Sequence, residues 1–312
     1  DSTDSTDSTD SGQGSNTRYP PNANLAKLPD KSWSQIPGTK MTSVASTLLY
    51  DGVSTCCGFA IYAYSGAVKD AKKGRILFWG GGHGDYYGNE VYQFDLKTLR
   101  WERLTDPSPK SVTECTTTGQ AHTFSDGEPK SRHTYDQMVY ISDQNKLWAH
   151  GGSICGPGSG IIDSWTFDPE TKTWTDLNPS LTYTWNSNLG HSAEYDPKTK
   201  LIYYFNRSSI QTFDTVTNNW STLLTAFSHP IERSSVLHPR ARKIVTYGGY
   251  LNSNQVSVFD IERQMVDYPS VPASLPERRA PGWAFDSKNE LFVAYGGSGY
   301  EKRDVWYYNV ET

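Results

Sequence analysis

Short runs of β-branched and aromatic residues alternate along the chain with glycine clusters and polar turns led by aspartate. Residues 75–104, RILFWGGGHGDYYGNEVYQFDLKTLRWERL, show the pattern most fully. An apolar run climbs to a glycine cluster, resumes as EVYQFD, turns at LKTL and resumes at WERL, which predicts three short strands in succession. A further strand precedes each glycine cluster, as at Gln137–Ile141, Ser192–Tyr195 and Gly282–Phe285, joined to the next by turns such as DPKTK and DSKNE.

The unit repeats. An aromatic-Asp pair recurs at Phe94-Asp95, Phe167-Asp168, Phe213-Asp214 and Phe259-Asp260, with Tyr308-Asn309 as a degenerate fifth copy. The Asp/Asn markers are spaced by 73, 46, 46 and 49 residues, the first interval being lengthened by an insertion. Trp101, Trp174 and Trp220 each follow their Asp by 6 positions, where the fourth unit has Val266. Gly80-Gly81, Gly151-Gly152, Gly248-Gly249 and Gly296-Gly297 mark the exit of the second strand. A period near fifty with four antiparallel strands per unit predicts an all-β propeller of five blades. One such sheet cannot cover its own apolar face, so the units must stack around an axis. Trp33–Ile36 matches the fourth strand of the other units and is expected to complete the last blade, closing the ring.

Glycine pairs, aromatic-Asp and tryptophan together resemble the kelch-type β-propellers, over roughly Trp33 to Thr312. Residues 25–312 are thus expected to form the propeller. Residues 1–24, beginning DSTDSTDSTDSGQGSN, read as a disordered acidic tether rich in Ser and Thr. Such a tether suggests an exported protein whose leader, of lipoprotein type, has been removed, placing it outside the cell or on its surface.

Charge and cysteine narrow the choice of partner. A formal net charge of -5 disfavours nucleic acid, and no apolar run is long enough for a transmembrane helix. Oligomeric state is not readable. Cys56, Cys57, Cys115 and Cys155 lack metal-site spacing and suit an oxidising compartment. Connections from the fourth strand to the next blade and from second to third strand emerge on one face of a propeller. A Cys115–Cys155 bridge is therefore reachable, leaving Cys56-Cys57 as a vicinal pair; four free thiols is the alternative.

Ligands of propellers gather at the channel mouth, where the start of each first strand meets the end of each second. Those positions carry His83, Asp85 and Tyr86-Tyr87 in blade 1, and Arg132, His133 and His150 in blade 2. Blade 3 supplies His191 and Asn206-Arg207, blade 4 Arg233, Tyr247 and Tyr250, and blade 5 Arg278, Arg279, Tyr295 and Tyr300. A cationic, aromatic cluster on a net acidic chain points to an anionic, ring-shaped ligand such as an acidic polysaccharide. Blade 3 alone exchanges its glycine pair, for Asn206-Arg207, which sets Arg207 close to His191.

His133, His150, His191 and Arg207 resemble the active sites of propeller-fold polysaccharide lyases, the ulvan lyases in particular. That resemblance implies β-elimination at a uronic acid with no cofactor and no metal. Arg207 would neutralise the carboxylate, His191 with His133 or His150 would act as base and acid, and Tyr247 could protonate the leaving oxygen. His83, Arg233, Tyr250 and Arg279 would bind the chain. A non-catalytic carbohydrate-binding or self-associating propeller is the competing expectation. Kelch-type copper radical oxidases are disfavoured for want of a Tyr-Cys pair beside two histidines. A glycoside hydrolase needs two facing carboxylates, and Asp85 and Asp136 are the only candidates near the mouth.

Overall fold

The computed structural model describes residues 37–45, 59–62, 64–82, 86–117, 121–155, 160–177, 189–225, 227–250, 254–297 and 304–310. Five antiparallel sheets follow one another around a central channel. Blade 1 is β1 (Gly66–Asp70), β2 (Arg75–Trp79), β3 (Tyr92–Asp95) and β4 (Arg100–Arg103). A helix, Ser111–Thr117, leads to blade 2. There β5 (Arg132–His133) pairs with β8 (Ser153–Ile154), beside a sheet of β6 (Met138–Ile141), β7 (Lys146–His150), β9 (Ser164–Asp168) and β10 (Thr173–Asp176). Blade 3 is β11 (Ser192–Asp196), β12 (Leu201–Phe205), β13 (Ser209–Asp214) and β14 (Asn219–Thr225). Blade 4 is β15 (Arg233–His238), β16 (Lys243–Gly248), β17 (Val256–Asp260) and β18 (Met265–Asp267). Blade 5 shows three strands among the described residues, β19 (Gly282–Asp286), β20 (Leu291–Tyr295) and β21 (Val305–Tyr308). The expected closing strand Trp33–Ile36, the tether, the pair Cys56-Cys57, and His83, Asp85 and Tyr300 lie outside the described residues.

Turn chemistry explains the aspartates of the repeat. Asp95 Oδ1 accepts from the backbone N–H of Lys97 and Thr98, and Asp168, Asp214 and Asp260 do the same two and three residues on. The following residue then takes the left-handed conformation, at Leu99, Lys172, Asn218 and Gln264. Side-chain capping of this kind lets Asp replace a backbone acceptor in a tight hairpin.

Apolar faces are buried between blades rather than within them. Trp174, on the outer strand of blade 2, lies 4.5 Å from Trp79 of blade 1, and Trp220 of blade 3 lies 4.5 Å from the His150 ring of blade 2. Among the described residues each of the four seams from blade 1 to blade 5 is one core cluster, as with Leu77, Trp79, Leu147 and Phe167 between blades 1 and 2. The first strands face the axis and contact their neighbours in the order β1, β6, β11, β15, β19. A Cys115–Cys155 disulfide ties the helix before blade 2 to the loop after β8.

Candidate functional site

One to three residues before each first strand begins, the backbone turns left-handed in all five blades. Tyr64, Tyr135, Gly190, Glu232 and Ala280 have φ of 48°, 48°, 68°, 63° and 46°. Four of the five are not glycine, so each costs about 1 kcal/mol that the surroundings must offset. Backbone bonds from blade to blade do so. Tyr135 N donates to Tyr64 O at 2.7 Å, Glu232 N to Gly190 O at 2.5 Å and Ala280 N to Glu232 O at 2.9 Å.

This collar rims a cavity of about 350 Å³ at the channel mouth, lined by Tyr64, Tyr135, Asp136, Glu232, Arg233 and Trp283 among others. Arg279 rests over the rings of Tyr64 and Tyr250, 5.7 and 5.1 Å from their centroids, and its guanidinium pairs with Glu232. Both tyrosines remain about half exposed. His133 sits below, 5.0 Å from the Tyr64 ring and 5.8 Å from Tyr135. Tyr250 and Arg279 therefore meet at the rim, while Arg233 lines the cavity and donates to Gly248 O and Gln255 O.

Blade 3 supplies a second, adjoining patch. Asn206 shows why the glycine pair is missing: its Oδ1 accepts from Ser208 and Ser209 N–H, its Nδ2 donates to Ser209 Oγ, and its N donates to Ser209 O. That short turn replaces a longer connection and places Arg207 exposed at its tip. Below it, His191 is buried, with Nδ1 2.8 Å from Tyr204 Oη. Gln137 Nε2 donates to the same hydroxyl at 2.8 Å, and the second lone pair of that oxygen can accept from His191 Nδ1–H, the tautomer that leaves Nε2 as the unprotonated nitrogen. Nε2 has no hydrogen-bond partner. His229, to which the sequence gives no role, is buried beside them, its Nε2 3.4 Å from Ser192 Oγ. Its position after a long connection from blade 3 hides it from pattern reading.

Burial pulls the His191 pKa down to about 3, helped by His150 and the charge of Arg207. His150 falls to about 4 for the same first reason, and His229 drops well below the ordinary value through burial and Arg233. Among the described residues no carboxylate pairs with Arg207, Arg233 or these three imidazoles. The patch is a set of neutral bases beside two cations.

Other candidates are committed elsewhere. His150 Nδ1 bonds Ser164 Oγ at 2.8 Å while its ring packs on Trp148, Tyr204 and Trp220. Tyr247 donates its hydroxyl to Pro276 O at 2.5 Å inside the seam between blades 4 and 5. Arg132 and Arg278 pair with Asp163 and Asp304.

Two carboxylates do face the channel. Asp136, at the throat, accepts from Ser235 N at 2.7 Å, and Glu194 lies with it along a deeper cavity of about 280 Å³ that strands of all five blades line. Burial lifts Asp136 to about 7 and raises Glu194 as well, the latter further through Asp136. These groups give folding a pH dependence of two signs. The histidines are lowered on folding from 6.5, so the unfolded chain binds more protons and stability falls as pH drops from 6.5 toward 3. Asp136 is raised from 3.8, so the folded chain keeps a proton the unfolded chain has lost, and stability falls as pH rises from 3.8 toward 7. Asp136→Asn is expected to gain about 1 kcal/mol above that range, less than full burial would give because the residue is only partly buried, and nothing below it. Denaturant titration across pH reads this directly.

The chain is thus a five-bladed β-propeller of antiparallel sheets with an aromatic and cationic mouth. No protein-family model matches it.

Proposed function

We propose that the protein binds a uronic-acid-containing polysaccharide, ulvan-like in its acidity, across the channel mouth and cleaves it by β-elimination. The observation that carries this is the pairing in blade 3: a neutral, buried His191 with a free Nε2, held by Tyr204, beside the exposed Arg207. Arg207 neutralises the uronate carboxylate and so stabilises the enolate-like charge that follows loss of the C5 proton. His191 takes that proton at Nε2. The electron pair forms the C4–C5 double bond, the C4–O bond breaks, and His133 protonates the departing oxygen. A polyanion bound nearby raises the proton affinity of His191 from its depressed value, since an opposite charge favours the charged form. Tyr64, Tyr250 and Arg279 supply stacking faces for the sugar rings. The Cys115–Cys155 bridge supports an oxidising, exported setting, and kelch-type ancestry fits the repeat.

Binding without cleavage is the second reading, favoured by the commitment of His150 and Tyr247 to packing and backbone bonds. Incubation with a panel of uronate polysaccharides separates them. A lyase releases oligosaccharides with the ultraviolet absorbance of an unsaturated uronate; a lectin-like propeller retains the polymer and releases none.

Closure of the ring by Trp33–Ile36 is proposed on similar grounds. An apolar cavity of about 180 Å³, lined by Tyr247, Trp283, Trp306 and Tyr308, lies in the seam where Trp174 and Trp220 fill the corresponding places. Trp33→Ala is expected to raise hydrogen exchange in β20 and β21 above that of the other blades; unchanged protection there would speak against closure.

A further inference from the structure

Three arginines act as staples between strands. Arg132 joins Gly151 O to Asp163 in blade 2, and Arg278 joins Gly296 O to Asp304 in blade 5. In both, the acid stands two residues before a tryptophan whose Nε1 donates to it. Arg233 repeats the arrangement in blade 4, with Nε donating to Gly248 O at 2.8 Å and Nη2 to the backbone of Gln255. Counted back from the aromatic-Asp marker, Gln255 occupies the place of Asp163 and Asp304. Blade 4 has kept the guanidinium and lost its carboxylate.

The consequence is an uncompensated buried cation. Arg233 is 1% exposed, and its Nη1 has no hydrogen-bond partner. It lines the mouth cavity, and burial lowers its pKa to about 10, a cost that a counter-ion would remove. The nearest acids do not serve. Glu232 is paired with Arg279, and Asp136 is engaged by the N–H and hydroxyl of Ser235. His229, whose pKa Arg233 depresses, is neutral and adds no negative charge.

We propose that Arg233 is an oxyanion subsite of the mouth, where a carboxylate or sulfate of an acidic saccharide takes the place in blade 4 that Asp163 and Asp304 fill in blades 2 and 5. The guanidinium's planar fork suits either group through paired N–H donors. The choice of a saccharide as the carrier rests on the polysaccharide reading of the site; the oxyanion chemistry does not. With Arg207 at the tip of blade 3, the subsite makes the mouth a reader of two acidic groups along one chain, so a polymer with an anion on successive sugars is preferred to one with isolated charges.

The test restores the missing acid in cis. Gln255→Asp is expected to occupy Arg233 internally, raise the melting temperature and weaken binding of D-glucuronate and of inorganic sulfate. Calorimetry on the full chain at fixed ionic strength reads both probes, and the loss should be roughly tenfold to a hundredfold for the one the site takes. Arg233→Met should show the same weakening without the gain in melting temperature. Tighter binding of sulfate than of glucuronate assigns the subsite to a sulfate ester, and the reverse to a carboxylate. Equal affinity for wild type and Gln255→Asp, or no binding of either anion to wild type, overturns the proposal. Retained anion binding with no release of unsaturated product from any polymer leaves the subsite standing and removes only the lyase reading.

Discussion

Replacing Asp163 by alanine is expected to destabilise the protein by about 3–5 kcal/mol, because it strands a charge that the fold has taken out of water. Arg132 and Asp163 are both within 1% of full burial, and the carboxylate takes two guanidinium bonds and the Trp165 Nε1–H at 2.6 Å. The guanidinium also lies 5.3 Å from the Trp79 ring, so its position fixes the seam between blades 1 and 2. Asp304→Ala removes the same bonds from Arg278, yet that carboxylate is half exposed and water can replace it, so the cost there should be much smaller. The denaturant midpoint should fall far more for Asp163→Ala than for Asp304→Ala, at an unchanged slope. Equal costs would mean that burial does not set the strength of these staples. An Arg132→Met, Asp163→Leu double variant should recover much of the loss, since an apolar pair of similar volume needs no desolvation.

Arg207→Ala is expected to lower turnover on a uronate polymer by about 10²–10³, the range for losing one electrostatic group that acts on developing charge. Arg207 is exposed at the Asn206 turn and bears on no core cluster, so its removal should leave the melting temperature unchanged. Arg207→Lys keeps the charge and loses the fork, and should fall between the two. Tyr204→Phe acts by position. It frees His191 Nδ1 and should displace the pH profile of turnover, whereas a purely structural role would lower turnover equally at every pH.

The repeat is legible in sequence because its chemistry is local. An aspartate that caps its own hairpin acts over three residues, and a tryptophan at fixed spacing marks a seam. The departure at Asn206-Arg207 is legible for the same reason, since an Asn turn needs only its immediate neighbours. What escapes is set by other blades. Tyr64, Tyr135, Glu232 and Ala280 share no residue type and are held left-handed by bonds between blades. His150 and Tyr247 occupy a slot the repeat reveals, but the partners that engage them, Ser164 and Pro276, lie on a neighbouring strand and a distant loop. Asp136 is visible as an acid near the mouth. Its companion Glu194 is not, because the third residue of a first strand points to the axis only once the ring is formed.

The most direct test of the account is to digest a uronate polysaccharide in water enriched in heavy oxygen and weigh the oligosaccharides. β-Elimination breaks the bond without adding water, so the account predicts products with an ultraviolet-absorbing unsaturated end and no label incorporated by cleavage. Labelled, saturated products would assign the channel carboxylates Asp136 and Glu194 to hydrolysis instead, and an intact polymer would reduce the protein to a binding module.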